Sequence, residues 1–258
     1  AALADIYVND AFAVSHRAEA SVDVITRFLP AYAGFALEKE VTTLKQLLDV
    51  PEHPFVLVIG GAKIKDKITV LKNLQKKVDR VLVGGGMANT LLRAKGMDIK
   101  ESLFDEGALI EAETLMRSAG DWLVLPTDFV WDNRRIMDIG AETIKQFNAY
   151  LAKARMVFWN GTLGKNEEPP YDRGTNEILK TLVRSDATSI VSGGDTGAAA
   201  EKLNVVDNLS FVSMGGGATL EFLAGKTLPG LAALDANDGG KGLTNLTPES
   251  YSERPLMR

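Results

Sequence analysis

The sequence predicts an α/β protein whose main domain is a mainly parallel β-sheet covered by helices on both faces. Two observations support this fold class. From Phe55 onward, short β-rich runs alternate with stretches of helical composition, which is the pattern of successive βαβ units. The runs are apolar throughout, as expected of strands that are buried on both faces of a sheet. We therefore expect a three-layer architecture.

Six runs are predicted to be the strands of this sheet. They are FVLVI (55–59), RVLV (80–83), WLVL (122–125), MVFW (156–159), TSIV (188–191) and LSFV (209–212). The clearest helical stretches between them are IKDKITVLKNLQKKV, ETIKQFNAYLAKA and GTNEILKTLVRS.

Two further segments flank this block. Upstream, apolar residues at positions 37, 41, 44, 47 and 48 have helical spacing, and Pro51 and Pro54 end the pattern. This stretch predicts a helix that connects an upstream unit to the main domain. After Pro229 the sequence is polar, rich in turn formers and weakly patterned, so we expect a loose tail or a strap over the surface.

Composition argues against several kinds of partner and chemistry. The net charge of −5 disfavours nucleic acid and anionic membranes, which both attract a basic face. The absence of cysteine excludes disulfides, zinc–thiolate sites and thiol catalysis, and two histidines make a multi-histidine metal site an unfavoured reading. No apolar run approaches the roughly 18 residues that span a bilayer. The acidic N-terminus AALADIYVND does not resemble a signal peptide, so we expect a cytoplasmic protein. Because the chain opens on alanine and runs directly into a strand-like DIYV, we also expect that further sequence precedes it.

Five of the apolar runs end in glycine. The clusters are Gly60-Gly61, Gly84-Gly85-Gly86, Gly161 with Gly164, Gly193-Gly194 and Gly215-Gly216-Gly217. One cluster would indicate only the end of a strand. Five at the same end of successive parallel strands indicate a ligand site, since ligands of open α/β sheets bind beyond the carboxyl ends of the strands. Helix N-termini there would offer N–H donors to phosphate, so the pattern predicts a nucleotide site.

Common nucleotide signatures do not explain these clusters. No G-x-x-x-x-G-K-[ST] loop is present, and GGGMAN has Asn89 where the dinucleotide fingerprint has its third glycine. Lys63 and Lys67 follow the first cluster four residues apart, so they would share one face of a helix. Such a pair can be a solvated surface with Asp66 as local compensation. After two glycines we interpret it as a clamp on a polyphosphate.

Asp195 and Thr196 lie just past the fourth glycine cluster, in the expected first turn of a helix. Either residue could simply cap that helix by accepting hydrogen bonds from its free N–H groups. Alternatively, the Asp195 carboxylate could hold Mg²⁺ against nucleotide phosphates, because Mg²⁺ prefers oxygen ligands and takes few of them from protein. The two interpretations are compatible.

Long stretches of the chain resemble phosphoglycerate kinase. GGAKIKDKI, GGGMANTLL, SLFDEG, LPTDFV, DIGAET, WNGTLG, SGGDTGAA and SMGGGATLEFLAGKTLPG follow that family's C-terminal domain in order, over nearly all of residues 55–231. YVNDAFAVSHRAEAS (7–21) is similar to the end of its N-terminal domain. The resemblance implies a remnant of the N-terminal substrate domain (1–36), an interdomain helix (37–50), a Rossmann-like nucleotide-binding domain (51–231) and a C-terminal tail (232–258).

The resemblance also implies site residues for MgADP or MgATP. Gly84 and Gly85 would form a wall of the adenine slot, Leu103 and Phe129 would pack near the base, and Glu167 would bind the ribose. The implied nucleotide-binding residues are Lys67, Gly84, Gly85, Leu103, Phe129, Asn160, Thr162, Glu167, Gly193, Gly194, Asp195 and Thr196, with Asp195 as the Mg²⁺ ligand. The residues implied for catalysis are Lys63, Gly215, Gly216, Gly217 and, on the phosphoglycerate side, Arg17.

Some positions depart from the family's usual residues. They are Thr162 and Ala141 in place of proline, Lys165 and Asn166 in place of apolar residues, Ser192 in place of glycine, and Met214 in place of threonine. DFVWDNRRIMDIG is also shorter than the usual connection, which affects part of the adenine pocket.

The implied reaction is reversible phosphoryl transfer between 1,3-bisphosphoglycerate and MgADP, giving 3-phosphoglycerate and MgATP in glycolysis. About 150 residues of the family's N-terminal domain, with most of its phosphoglycerate pocket, are missing from this chain by that comparison. We therefore expect a monomer with little activity of its own that carries the nucleotide half of the enzyme. The alternative is a non-catalytic adenine-nucleotide-binding module. If the gene encoded about 150 further residues upstream of Ala1, basic in composition and again with an α/β pattern, the enzyme would be favoured.

Overall fold

The computed structural model describes residues 1–62 and 64–237, apart from the side chain of Asp66. Their strands are β1 (Tyr7–Asn9), β2 (Ala31–Ala33), β3 (Phe55–Ile59), β4 (Arg80–Val83), β5 (Leu123–Val124), β6 (Phe129–Asp132), β7 (Arg135–Ile139), β8 (Met156–Asn160), β9 (Thr188–Ser192) and β10 (Phe211–Ser213). Their α-helices are α1 (Phe35–Asp49), α2 (Lys65–Leu74), α3 (Gly85–Ala94), α4 (Leu109–Ser118), α5 (Ala141–Leu151), α6 (Arg173–Leu182), α7 (Gly194–Lys202), α8 (Gly217–Leu223) and α9 (Pro229–Asn237). The predicted α/β fold class is therefore confirmed.

The chain divides into two compact units. One is Glu52–Val212, and the other combines Ala1–Pro51 with the chain from Ser213 onward. The predicted nucleotide-binding domain, 51–231, contains the whole of the first of these units, whereas residues 213–231 lie in the other. The functional division into substrate remnant, connecting helix and nucleotide domain stays a prediction.

The unit Glu52–Val212 is built on a sheet with the strand order β10-β9-β8-β3-β4-β5. The central pairs β4–β3, β3–β8 and β8–β9 are all parallel. Numbered along the chain, this order is 3-2-1-4-5-6 from one edge to the other, the order of dinucleotide-binding folds. The direction of winding reverses between β3 and β8. A crevice therefore opens at the carboxyl ends of these two strands, where such folds bind their ligands.

Both faces of this sheet are buried, as the apolar runs predicted. Val56 and Val58 of β3 share one core with Val157 and Trp159 of β8. The helix residues of that core are Ile144, Phe147 and Leu151 of α5, Ile178, Leu179 and Leu182 of α6, and Ala199 and Ala200 of α7. Leu57 and Ile59 point the other way, because side chains alternate along a strand, and they are fully buried too. The result is the predicted three-layer arrangement.

One hairpin was not predicted. The short stretch after Thr127 forms the antiparallel pair β6 and β7. The loop between them is Asn133-Arg134, and both residues have positive φ, 41° and 74°. Two-residue hairpin loops favour such angles, usually with Asn followed by Gly. Because Arg134 stands at the second position instead of glycine, the sequence did not indicate a hairpin turn here.

The unit formed by Ala1–Pro51 and the chain from Ser213 onward contains the parallel pair β1 and β2 and the predicted helix α1. Its α9 overturns the expectation of a loose segment directly after Pro229. Leu231 and Leu234 of α9 are buried, and the Asn237 side chain accepts a hydrogen bond from Ala31 N–H at 2.9 Å and donates one to Thr26 O at 2.8 Å. The remainder of the predicted tail, 238–258, lies outside the described residues. In the part of the chain that the structure describes, no helix is long and apolar enough to cross a bilayer.

Candidate functional site

A cleft of about 550 Å³ lies at the carboxyl edge of the sheet in the unit Glu52–Val212. Five of the residues predicted for the nucleotide site line it: Gly85, Leu103, Thr162, Glu167 and Asp195. The other lining residues are Gly61, Ala62, Gly86, Asn89, Arg135, Ile136, Met137, Asp138, Leu163, Gly164 and Lys165. The cleft thus lies at the switch point between β3 and β8.

The glycines after β3 and β4 bring the loops of the cleft together. A Cβ atom at Gly60 would lie 2.1 Å from the carbonyl oxygen of Thr162. One at Gly85, whose φ is +58°, would lie 2.8 Å from Gly61 N, and the Gly85 N–H donates to Leu163 O at 2.8 Å. At Gly194, in contrast, a Cβ would meet no atom within 4 Å. The first glycines are therefore required by contacts within the chain, whereas the last leaves open space for a ligand.

Lys67 lies where β3 and β8 end. Its side chain is buried, and its ammonium group donates hydrogen bonds to the carbonyl oxygens of Gly60 and Asn160. The same ammonium would lie 3.2 Å from a Cβ atom placed at Gly61, which lines the cleft. A buried cation is costly unless hydrogen bonds or a counter-charge compensate it. Two carbonyls supply part of that compensation at the point where the sheet meets the cleft.

The strand ends around Lys67 are joined by side chains predicted for the site. Asn160 is buried and donates from Nδ2 to Ser192 O at 3.2 Å, which links β8 to β9. The Thr196 hydroxyl accepts a hydrogen bond from Gly161 N–H at 2.8 Å. Thr196 therefore holds the loop after β8 against the start of α7. Lys67, Asn160 and Thr196 lie beside the cleft but do not line it.

The N-terminus of α7 settles the question of the helix cap. The N-cap residue is Gly193, with φ +100°, and has no side chain to cap the helix; none of the hydrogen bonds of the described side chains goes to the first N–H groups of α7. Asp195 lies exposed in the first turn and lines the cleft, and Thr196 bonds to Gly161 instead. The interpretation of Asp195 or Thr196 as a cap is therefore wrong. The uncapped first N–H groups and the positive end of the helix dipole are available to an anion.

Apolar residues form part of the lining of the cleft. Leu103 is 64% exposed, and Asn89 donates from Nδ2 to Leu103 O at 2.9 Å. Ile136 and Met137 of β7 continue this wall. Phe129, predicted near the base, is on β6 and makes an edge-to-face contact with Trp131, with ring centroids 6.1 Å apart. It does not line the cleft.

Three charged residues of the cleft were not predicted for the site, namely Lys165, Arg135 and Asp138. Arg135 is the exposed first residue of β7, beside the unpredicted hairpin loop. Asp138, three residues later, is 1% exposed. Burial raises the pKa of Asp138 to about 7, against hydrogen bonds from Gly174 N–H and Ile139 N–H that lower it. The DIGAET motif contained Asp138, but its burial depends on contacts with residues 164–174 that no local pattern reveals.

Gly84 belongs to this unit but does not line the cleft, and a Cβ atom there would lie 2.5 Å from the Leu163 side chain. The other predicted residues do not belong to this unit or are not described. Gly215, Gly216, Gly217 and Arg17 are in the other unit. There, a Cβ at Gly215 would lie 2.5 Å from the Phe12 ring, and Met214 N–H donates to Glu40 at 2.9 Å. Arg17 is exposed and 3.5 Å from Glu19. Lys63 lies outside the described residues.

Asp195 fits the predicted magnesium ligand. Among the described residues, no group of three or more His, Cys, Asp or Glu side chains is arranged to hold a metal. A Mg²⁺ site needs fewer protein ligands, since Mg²⁺ is commonly bound by one or two carboxylates together with substrate phosphates and water. One exposed carboxylate beside an uncapped helix N-terminus has the donor chemistry for that arrangement.

These features define a class of protein: a doubly wound α/β unit with a ligand cleft at the carboxyl edge, where the strand order reverses. The family model "Phosphoglycerate kinase" matches residues 1–226. The chain belongs to the phosphoglycerate kinase family.

Individual relatives agree with this assignment. The phosphoglycerate kinases of Herpetosiphon aurantiacus and Desulforudis audaxviator are 44% and 45% identical to the chain, with 91% of it covered. The solved phosphoglycerate kinase of Coxiella burnetii matches with a TM-score of 0.83 and 38% identity over 90% of this chain. That of Pyrococcus horikoshii matches with a TM-score of 0.82 and 31% identity over 91%. The chain spans 65% of the length of the two curated relatives, and 66% and 65% of the two solved chains.

Proposed function

We propose that this chain is the nucleotide-binding part of a phosphoglycerate kinase. The reaction is transfer of a phosphoryl group between 1,3-bisphosphoglycerate and MgADP, giving 3-phosphoglycerate and MgATP in glycolysis. The observation that carries the proposal is Asp195, which is exposed beside an uncapped helix N-terminus and lines the cleft. A cytoplasmic, monomeric protein is part of the same proposal and rests on the family alone.

The nucleotide lies along the cleft from one end to the other. Its phosphates accept hydrogen bonds from the first N–H groups of α7, where the helix dipole favours negative charge. Bound Mg²⁺ would be held by Asp195 and would neutralise charge on the phosphate oxygens. The base packs against Leu103 and Met137, and Glu167 accepts hydrogen bonds from the ribose hydroxyls. The roles proposed for Lys63 and Gly215–217, at the phosphoryl group in transit, rest on the family resemblance.

A segment outside this chain supplies most of the phosphoglycerate site. The relatives are about half as long again, and the unit containing Ala1–Pro51 has an apolar surface that suits such a partner. Ile6, Val8 and Tyr32 lie on or beside the β1–β2 pair and are each more than half exposed. Parallel sheets normally have both faces covered, so a two-stranded parallel pair with exposed apolar residues lacks part of its fold. A docked N-terminal domain would cover it and bring the basic residues that bind phosphoglycerate.

Calorimetric titration with MgADP tests the nucleotide assignment on the chain as it stands. All of the proposed nucleotide contacts belong to this chain, so we expect saturable binding at millimolar nucleotide and a rise in Tm. Inorganic phosphate with Mg²⁺ serves as the reference for a general anion effect. If MgADP produced neither heat nor a Tm shift, the cleft would not be a nucleotide site.

A non-catalytic nucleotide-binding module is the second candidate, because all five predicted residues that line the cleft were predicted for nucleotide or Mg²⁺ binding and none for the phosphoglycerate side. Both candidates bind MgADP, so binding does not separate them. The coding sequence upstream of Ala1 does. If the reading frame continues upstream and encodes the remaining third of the relatives' length, with a basic composition and an α/β pattern, the kinase is supported.

A further inference from the structure

Asp138 lines the cleft from β7 and also contacts the start of α6. Its carboxylate accepts a hydrogen bond from Gly174 N–H at 2.6 Å, at the start of α6, and one from Ile139 N–H at 2.8 Å. Asp138 belongs to β7, and its side chain is 1% exposed. It therefore fixes the first turn of α6 against β7 from within the protein.

The same carboxylate is enclosed by the loop that carries Glu167. Cβ atoms at Gly164 and Gly174 would lie 2.3 Å and 2.4 Å from Asp138 Oδ1, so the backbone at both ends of the loop packs directly on the carboxylate. Next to the first contact, Lys165 N–H donates to Met137 O at 2.8 Å. Residues 164–174 thus begin and end on Asp138 and its neighbour in β7.

We propose that Asp138 is a positioning residue that holds the loop 164–174 so that Glu167 faces the nucleotide cleft. The inference rests on the function proposed above and adds a residue to it. Asp138 acts through the loop and not on the substrate. Without the hydrogen bond from Gly174 N–H, the end of the loop at the start of α6 loses its anchor to β7, and Glu167 loses its fixed position along the cleft.

The charge of this anchor changes near neutral pH. Burial raises the pKa of Asp138 to about 7, and the nearby carboxylate of Asp172 raises it further, whereas the N–H donors and Arg173 lower it. Lys165 and Glu167 are the charged residues of the loop that line the cleft with it. The ionised form accepts both N–H bonds as a charged acceptor, which makes them stronger than bonds to the neutral acid. The loop is consequently held best above the pKa.

The test compares MgADP affinity of the full chain with that of Asp138→Asn between pH 6 and 8. The ratio of the two Kd values cancels the titration of the nucleotide itself. At pH 8 we expect the variant to bind about tenfold more weakly, the size of one charge-assisted hydrogen bond. At pH 6, where the wild-type acid is largely neutral, the ratio should approach one. A ratio that stays constant with pH, or equals one throughout, would overturn the proposal.

Asp128→Asn is the matched control. Asp128 also accepts N–H bonds at a helix start, from Glu142 and Thr143 of α5, but it does not line the cleft. Its Kd ratio to wild type should stay near one at every pH. A pH-dependent ratio for Asp128→Asn would mean that general loss of stability explains both results.

Hydrogen exchange keeps the inference separate from the proposed function. In the chain without nucleotide, Asp138→Asn should speed exchange in the peptide that covers 164–174 and leave the peptides of α5 unchanged. Unchanged exchange in 164–174 would overturn the anchoring role even if MgADP binds. If wild type bound no MgADP, the proposed function would fail, and the exchange result alone would decide whether Asp138 holds the loop.

Discussion

Asp195 offers the most specific test at the scale of single residues. It lies exposed in the first turn of α7 and is not its N-cap residue, so we expect Asp195→Ala to fold as wild type does. Asp195→Ala should weaken MgADP binding by at least about tenfold, since even outer-shell changes cost that much in metal affinity. Binding of ADP without metal should change much less, because the metal forms the bridge between Asp195 and the phosphates. Calorimetry with and without Mg²⁺ measures both.

Glu201→Ala is the control for that experiment, since Glu201 is an exposed acid on the same helix. It should bind both ligands as wild type does. If Asp195→Ala lost MgADP and ADP affinity equally, Asp195 would not act through Mg²⁺.

Lys67 leads to a second prediction at this scale. Its ammonium is buried against the carbonyl oxygens of Gly60 and Asn160 beside the cleft, so its charge acts on a nearby anion with little screening by water. Lys67→Met keeps the apolar stem and removes the charge. Nucleotide affinity should fall by about tenfold or more, the cost of losing a charged hydrogen-bond donor.

Lys72→Met, on the exposed face of the same helix, should bind nucleotide normally. Titration calorimetry on both variants, with thermal unfolding to confirm that each is folded, decides the matter. Wild-type affinity in Lys67→Met would exclude Lys67 from phosphate binding.

At the scale of helices, a side chain from outside α5 caps its N-terminus. Asp128 accepts hydrogen bonds from Thr143 N–H at 2.7 Å and Glu142 N–H at 3.0 Å, and from the Thr143 hydroxyl at 2.6 Å. Partial burial by itself raises the pKa of Asp128, but these hydrogen bonds hold it below its ordinary value. Asp128→Ala should lower the free energy of unfolding at pH 7 by about 1 kcal/mol, as loss of a cap does.

The pH dependence of that loss follows from the lowered pKa. The unfolded chain binds the proton more readily, so the stabilisation by Asp128 is complete above the unfolded pKa, near 3.8. It disappears as the pH falls through the lower, folded value. Urea titrations at pH 7 and pH 3 should therefore show a difference between wild type and Asp128→Ala that shrinks at the lower pH. A difference that grew on acidification would contradict the assignment.

For the whole molecule, we expect negligible turnover of phosphoglycerate by this chain alone. Arg17 is the one cation of the described residues that the family resemblance assigns to that substrate, and it is exposed beside Glu19. Holding a reactant in orientation is worth roughly 7–11 kcal/mol of barrier, and catalysis of phosphoryl transfer consists mainly of such positioning and of charge stabilisation. A coupled assay on the purified chain measures the turnover.

Adding a separately made N-terminal segment from one of the relatives should restore activity, by covering Ile6, Val8 and Tyr32 and supplying the basic residues. The same segment with acidic substitutions in its basic pocket is the control. Substantial turnover without any added segment would show that this chain contains a complete substrate site.

The sequence by itself determined the fold class, the strands β3, β4, β8 and β9, and the glycine-rich edge of the sheet. Apolar runs and glycines are local signals. They can be recognised from neighbouring residues in the sequence, without knowledge of which segments pack together. The neighbours of each strand are not local. The reversal of strand order between β3 and β8, which creates the cleft, follows from pairings such as Val58↔Trp159 between residues about a hundred positions apart.

Only the tertiary structure decided which residues share the cleft. Phe129 is on β6 of a hairpin whose other strand, β7, lines the cleft. The hairpin loop, Asn133-Arg134, carries no glycine, so the sequence DFVWDNRRIMDIG did not reveal that Phe129 lies outside the lining. Asp138 has an ordinary sequence context, and its burial arises from the backbone of Gly164 and Gly174 packing on its carboxylate. The physical reason is that pattern and propensity act over a few residues, whereas burial and the electrostatics that follow from it depend on segments brought together by folding.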